Sequence, residues 1–446
     1  MTRHSDTWKE IQGRFSSATA PTTTTGGSST SSRSTNACDG DVTGRSPPVN
    51  RRAGGQSRRL PTVRLVKTSR GIEGSSLRRW GGLAGVALAG AVAVTACGSN
   101  NNTGNGGTVA ATGSASGSCS AAQLTGGGSS FQAPMEQAWS ASFLSNCPQV
   151  HVNYNSVGSG AGIQQFGQGT VDFAGSDVTM KPDEQRTADN RCGGAPAIHL
   201  PVTAGGVAVA YNLPDVKNLR LTAATVAGIF QGTITRWNDP VLAADNPGAT
   251  LPNIPIVVFH RSDGSGTTAV FSAYLKAAAA SSWKLGSDKT LNWPVGQGAK
   301  GNEGVSAGVN QTKGGITYTE QAFAEQHKLT TALIKNAGGS FVPLTSANVS
   351  RALETAQLSG TGNDLKATID YKPAAADAYP ISTVSYVIVC SHYPSSFGAD
   401  KVAALKSYLD YAVGAGQQTA AQLGFAPLPP AMATKDRAAI AAVNAS

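Results

Sequence analysis

Charged side chains make up only 14% of this 446-residue chain and aromatic ones only 6%, against 40% hydrophobic residues. The six cysteines include no Cys-x-x-Cys pair, and the histidines at 4, 151, 199, 260, 327 and 392 are scattered, which argues against a zinc or thiol enzyme. His260 reads as a packed or capping residue, and Trp237 and Trp293 as packing residues. No Gly-x-Ser-x-Gly elbow or activated-nucleophile spacing is present. Gly296-Gln-Gly-Ala-Lys-Gly301 looks like a phosphate loop but lacks the Gly-Lys-Ser/Thr ending, so it reads as an ordinary loop. A strongly basic body is lacking too. The formal charge of +9 comes from residues 1–96, with 14 Lys+Arg against 5 Asp+Glu, and the other 350 residues carry 21 of each. A nucleic-acid partner loses its main support, and neither a metal nor a cofactor is expected.

What is present begins with an address. Arg78-Arg79-Trp80 precedes the small-apolar run Gly81–Ala93 and then Val94-Thr95-Ala96-Cys97, the charged, apolar and small-residue zones of an export signal over 77–96. The run falls short of the ~20 apolar residues that a spanning helix needs. Val-Thr-Ala-Cys resembles a bacterial lipobox, which implies cleavage before Cys97 and a lipid on its sulfur. Residues 1–76, rich in Ser, Thr, Gly and Arg, read as a disordered extension or as a start placed too far upstream, with Val63 or Val66 as alternative first codons. Residues 97–120 read as a lipid-anchored flexible tether. Cys119, Cys147, Cys192 and Cys390 remain, an even number suited to two disulfides in an oxidising compartment. Four cysteines allow three pairings.

From Leu124 onward, short apolar runs alternate with helical stretches, the pattern of βαβ units and an α/β fold. The length favours two lobes. Val150–Tyr154, Val171–Asp177 and Ile254–Phe259 read as strands; Met135–Leu144, a segment near Ile163–Gly169 and Ala269–Lys276 read as helices. The densest chemistry is Arg261-Ser-Asp-Gly-Ser-Gly-Thr-Thr268, placed at a strand-to-helix junction. Ser265, Gly266 and Thr267 would present amides and hydroxyls at a helix start, where the dipole attracts an anion. Arg261 adds a fork-shaped charge, and Asp263, two residues on, orients it. Hydroxyl-rich turns at Gly126-Gly-Gly-Ser-Ser-Phe131, Val157-Gly-Ser-Gly160 and Ala174-Gly-Ser-Asp177 also fall at strand ends or helix starts, where open α/β sheets bind ligands.

These turns, with Tyr211-Asn-Leu-Pro214, Phe230-Gln-Gly-Thr-Ile-Thr-Arg-Trp237, Trp293–Asn302 and Gly314-Gly-Ile-Thr-Tyr318, resemble the phosphate-binding proteins of phosphate-specific ABC transporters over about Leu124–Ala441. The lipobox suggests their lipid-anchored actinobacterial form. The chain departs from them at Ser130 and Gln132, where the family often has Thr and Pro. The resemblance implies a two-lobed periplasmic-binding-protein-like fold of type II, with the ligand between lobes joined by crossing strands. Lobe I would span 121–205 and 381–446, and lobe II 206–380, with crossings near Gly205–Tyr211 and Ile381–Val389. Carried over, the phosphate ligands are Ser129, Ser130, Phe131, Ser159, Asp177, Arg261, Ser265, Gly266 and Thr267. Ionised Asp177 can only accept, so it would favour a protonated phosphate over sulfate.

The implied protein is not an enzyme. It is a monomeric receptor lipid-anchored on the extracytoplasmic face of the cell membrane, passing inorganic phosphate to permease and ATPase subunits. The alternatives are a secreted phosphate-ester hydrolase using the same oxyanion cradle, and a structural or adhesive lipoprotein that has kept the fold. Cys119 precedes the first strand and Cys147 ends the first long helix, while Cys192 and Cys390 lie just outside the two crossings. The preferred pairing is therefore 119–147 with 192–390.

Overall fold

The computed structural model describes residues 119–445. The extension, the export signal, Cys97 and all of the tether except its last two residues lie outside them. Strand β1 (Ala122–Gly128) leads into helix α1 (Ala133–Asn146), β2 (Val150–Ser156), α2 (Ser159–Gly167) and β3 (Phe173–Ser176). The chain continues through α3 (Pro182–Arg191) and a long strand, β4 (Ala197–Tyr211), every residue of which is buried. Beyond it come β5 (Val257–Arg261), α4 (Gly266–Ala278), β6 (Gln297–Ala299), α5 (Gly301–Gln311) and β7 (Gly315–Glu320). The chain returns in β8 (Ser382–Cys390), α6 (Ala399–Val413) and α7 (Pro430–Ala442).

The main sheet runs β2-β1-β3-β8-β4-β7-β5-β6, with a short strand at Thr330–Thr331 added against β4. β1 pairs in parallel with β2 and β3, and β5 in parallel with β6 and β7. β4 and β8 are antiparallel to their neighbours. β4 changes partner half-way: Ala197–Gly206 pairs with β8, and Val207–Tyr211 with β7. One strand thus serves both lobes. The apolar runs Tyr386–Cys390 of β8 and Val207–Tyr211 of β4 suit burial on both faces, while Ser382, Thr383 and Ser385 bring buried hydroxyls into the first half of β8. The β4–β8 register slips between Ser385 and Tyr386, where Val202, next to Pro201, has no opposite number. Proline cannot donate to a ladder and is tolerated at such a bulge.

Several predicted boundaries differ by two to four residues. The strand before the cradle runs Val257–Arg261 instead of Ile254–Phe259: Pro255 defers regular pairing to Val257, and Phe259–Arg261 pair with Gln297–Ala299 of β6. Helix α2 begins at Ser159, four residues before the expected start, and α4 begins at Gly266 with Ser265 as its cap. The disulfides join Cys119 to Cys147 and Cys192 to Cys390, the preferred pairing. Among the described residues no helix is long and apolar enough to cross a membrane.

Candidate oxyanion site

The second lobe supplies one half of the site from seven consecutive residues. Arg261 ends β5 with its guanidinium almost wholly buried; Nε donates to Asp263 Oδ1 at 2.8 Å and Nη2 to Asp263 Oδ2 at 2.5 Å. This bidentate clamp fixes the plane of the fork and leaves Nη1 near Thr267 Oγ1 (3.3 Å) and Asn302 Oδ1 (3.4 Å). Burial by itself would raise the Asp263 carboxyl, but the hydrogen bonds and charge of Arg261, with the Gly301 amide at 3.1 Å, hold it below its usual range. The Ser265 hydroxyl accepts the Thr268 amide at 3.0 Å, so it caps α4, as an N-cap serine does. The junction is pinned from behind by Tyr318, whose hydroxyl accepts the Arg261 amide and pairs with Thr268 Oγ1, and whose ring stacks on Phe271.

The first lobe supplies the other half from strand ends far apart in sequence. Asp177 follows β3 and is 2% exposed. Its Oδ1 accepts Ser129 Oγ at 2.5 Å and Ser385 Oγ at 2.7 Å; Oδ2 lies 3.5 Å from Ser159 Oγ. Burial raises its carboxyl above the ordinary value, and the Ser129 and Ser385 hydroxyls, the Arg261 charge and Ser159 oppose that rise. Gly128 has a positive φ of 146°, and a Cβ there would lie 2.1 Å from the Gly175 carbonyl, so β1 and β3 can end side by side only with glycine present.

The halves meet closely. A Cβ built on Gly266 would lie 2.4 Å from Ser159 Oγ and 2.5 Å from Asp177 Oδ2. The Gly160 amide donates to the Gly264 carbonyl at 2.8 Å, and Asn302 donates to Ser130 Oγ from its amide N (3.2 Å) and Nδ2 (3.1 Å). Outside these contacts two ion pairs bridge the lip, Lys181–Asp288 and Lys289–Glu184, each at 2.6 Å.

Ser130, Phe131, Ser159, Asp177, Arg261, Ser265, Gly266 and Thr267 are all buried around this junction. Ser129 is there too, but its hydroxyl is spent on Asp177. Three participants escaped the sequence reading. Asn302, at the start of α5 and at the end of the Trp293–Asn302 motif, touches Ser130, Thr267 and Arg261. Ser385 sits in a buried apolar strand and carries no local signal. Gln132 Oε1 lies 3.2 Å from Ser385 Oγ, a longer alternative to the Ser385 bond to Asp177. The Gly296–Gly301 run is also more than an ordinary loop, since its last amide holds Asp263. His260 packs, stacking on Trp293 at 5.2 Å, and Trp237 is fully buried.

Comparison with known proteins identifies the family. A family model described as PBP superfamily domain matches residues 113–415. Phosphate-binding protein PstS 3 of Mycobacterium tuberculosis (strain H37Rv) is 42% identical over 357 residues, 79% of this chain and 95% of that protein. The chain belongs to the PstS family of the PBP superfamily. Another PstS relative, phosphate-binding protein PstS 2 of the same organism, is 39% identical over 373 residues, covering 82% of this chain and 99% of its own. The fold is shared with the crystal structure of a phosphate-binding protein from Stenotrophomonas maltophilia, with a TM-score of 0.57 and 20% identity over 71% of this chain and 94% of that one. These PstS relatives carry the names of binding proteins, and the hydrolase alternative finds no support among them.

Proposed function

We propose that this chain is an extracytoplasmic receptor that captures inorganic phosphate between its lobes and delivers it to an ABC permease. The observation that carries the reading is the pairing of opposites at one point. A buried carboxylate, Asp177, lies against the start of α4 at Gly266, beside the Arg261 fork. A site built for any anion would exclude a carboxylate. A site built for an anion that still bears a proton needs an acceptor, and HPO4²⁻ or H2PO4⁻ supplies that proton while sulfate does not. Ser130, the Phe131 amide, Ser159, Arg261, Thr267 and the amide of Gly266 are the remaining ligand groups. Ser265 serves through the cap it gives α4, and Ser129 by holding Asp177. Asp263 orients Arg261, and Asn302 joins Ser130 to the second lobe.

The lobes divide at 205/206 and 380/381, and the receptor acts as a monomer. Cys97 carries a lipid that anchors it to the outer face of the cell membrane through the tether over 97–120, after removal of the signal over 77–96. The names of its relatives and the Asp177–Arg261 chemistry support transport over adhesion. Calorimetry with phosphate and sulfate at neutral pH tests the reading. Phosphate should bind and sulfate should bind at least ~100-fold more weakly, the scale set by an unpaired buried acceptor. Equal binding of both, or of neither, overturns it. Asp177→Asn should lose that ratio while keeping most of the phosphate affinity, because an amide nitrogen offers sulfate a donor.

A further inference from the structure

Asp177 has two oxygens with different surroundings. Oδ1 faces the interior of the first lobe and takes two hydroxyl donors, Ser129 Oγ at 2.5 Å and Ser385 Oγ at 2.7 Å. Oδ2 faces the second lobe, next to the start of α4, with only the distant Ser159 hydroxyl at 3.5 Å. Ser129 belongs to the β1–α1 turn that also carries Ser130 and Phe131. Ser385 comes from elsewhere: it is 208 residues from Asp177 in sequence, fully buried in β8, at the point where the β4–β8 register slips. A bulge beside a site commonly re-aims a side chain, and here the hydroxyl at that slip meets the carboxylate.

We propose that Ser385 is a specificity-determining residue of the oxyanion site: its hydroxyl holds Asp177 as an ionised acceptor, locking Oδ1 so that Oδ2 alone reads the proton of the bound anion. This rests on the phosphate reading above. A carboxylate buried to this degree tends to take up a proton, and a protonated Asp177 would be a donor, which welcomes sulfate. The groups opposing protonation are few. Ser129 and Ser385 donate directly, Ser159 donates weakly, and Arg261 acts by charge from β5. The other titratable groups around this pocket are Tyr154, from β2, Glu136, from α1, and Asp263, which is paired with Arg261. Tyr154 is half-buried and Glu136 fully buried; Glu136, raised to about 7 by burial, reaches Asp177 through Gln132 and Ser385. The single hydrogen of Ser385 also has Gln132 Oε1 at 3.2 Å and the Ser176 carbonyl at 3.3 Å within reach, but Asp177 Oδ1 is nearest.

The test is the phosphate-to-sulfate affinity ratio of the wild type, Ser385→Ala and Ser385→Thr, measured by calorimetry from pH 5 to 8. Taking the ratio against the wild type at each pH cancels the titration of phosphate itself. Ser385→Ala should lower the ratio by about tenfold, the scale of one hydrogen bond to a charged group. The fall should deepen towards pH 5, and Ser385→Thr should restore the wild-type profile. A purely structural role would weaken both anions alike and leave the pH profile of the ratio unchanged. If Ser385→Ala does not fold, Ser385→Cys, a weaker donor of similar volume, should give a partial fall in the same direction. A wild-type ratio in the folded variants at every pH overturns the role of Ser385. Failure of the wild type to prefer phosphate overturns the parent reading instead.

Discussion

The two halves of the site are built by opposite means. In the second lobe Arg261, Asp263, Ser265, Gly266 and Thr267 follow one another through a single strand-to-helix turn, and the charges are paired within it. In the first lobe Ser129, Ser159, Asp177 and Ser385 come from four separate segments, and Asp177 is stabilised by neutral hydroxyls. Their carboxylates respond accordingly: Asp263 is held low once Arg261 outweighs its burial, while burial keeps Asp177 high despite its donors. One half is an ion-paired clamp set by local geometry. The other is an acceptor whose protonation depends on the fold around it, as the proposed reading of a protonated oxyanion requires.

The largest effect should come from breaking the clamp. Arg261→Lys removes the bidentate bond to Asp263 and the fixed fork, and phosphate affinity measured by calorimetry should fall on the order of a hundredfold or more. Loss confined to a few-fold would mean that the local clamp is not where the binding energy lies. Next comes the contact between the halves. Gly266→Ala places a methyl within 2.4 Å of Ser159 Oγ and 2.5 Å of Asp177 Oδ2, so the lobes must part. Affinity should drop roughly tenfold with little change in melting temperature, since overpacking here strains the closed cleft more than either core.

A third measurement contrasts the two carboxylates through stability. Asp263 has a lowered folded pKa, so its contribution is present above the unfolded value and lost as pH falls through the folded one. Asp177 has a raised folded pKa, so the folded state binds the extra proton between the unfolded and folded values and stability falls as pH rises through that window. Without ligand at pH 7, Asp263→Asn should therefore lower the melting temperature and Asp177→Asn raise it, with both differences shrinking towards pH 3. Shifts of the same sign would erase the electrostatic distinction between the halves. The smallest effects belong to the lip. Lys289 is largely buried against Glu184, whereas Lys181 and Asp288 are substantially exposed. Lys289→Met should weaken phosphate binding by roughly threefold and Lys181→Met by less, as expected of an exposed pair screened by solvent. An equal effect of both would show that burial does not decide the strength of the latch.

How far the site could be read from residues follows the same division. Arg261–Thr267 was legible because a strand end, a cap and a helix start put the functional groups within one turn, and sequence neighbours stay neighbours in space. The helix starts at Ser159 and Gly266 lie three or four residues before the expected ones, since their small polar residues carry no apolar period to announce a helix. Asn302 was hidden for a similar reason, lying after a glycine run that looks like a loop. Ser385 had no signal at all. A serine in Ser382–Cys390, surrounded by Val, Tyr and Ile, looks like any small residue tolerated in a buried strand.

The sequence alone determined the alternation of strands and helices, the contiguous cradle around Arg261, an even set of four cysteines in the body, and the neutrality of the body beyond residue 96, because each depends on composition, periodicity or adjacency. The tertiary structure alone decided that β4 changes partner at Gly206–Val207, that the slip beside Pro201 falls opposite Ser385, and that Gly266 meets Asp177. These are contacts between segments separated by 80 residues or more, and they are fixed by strand register and by how closely two backbones approach. Register is a cooperative property of the whole sheet, and no local run of residues encodes it.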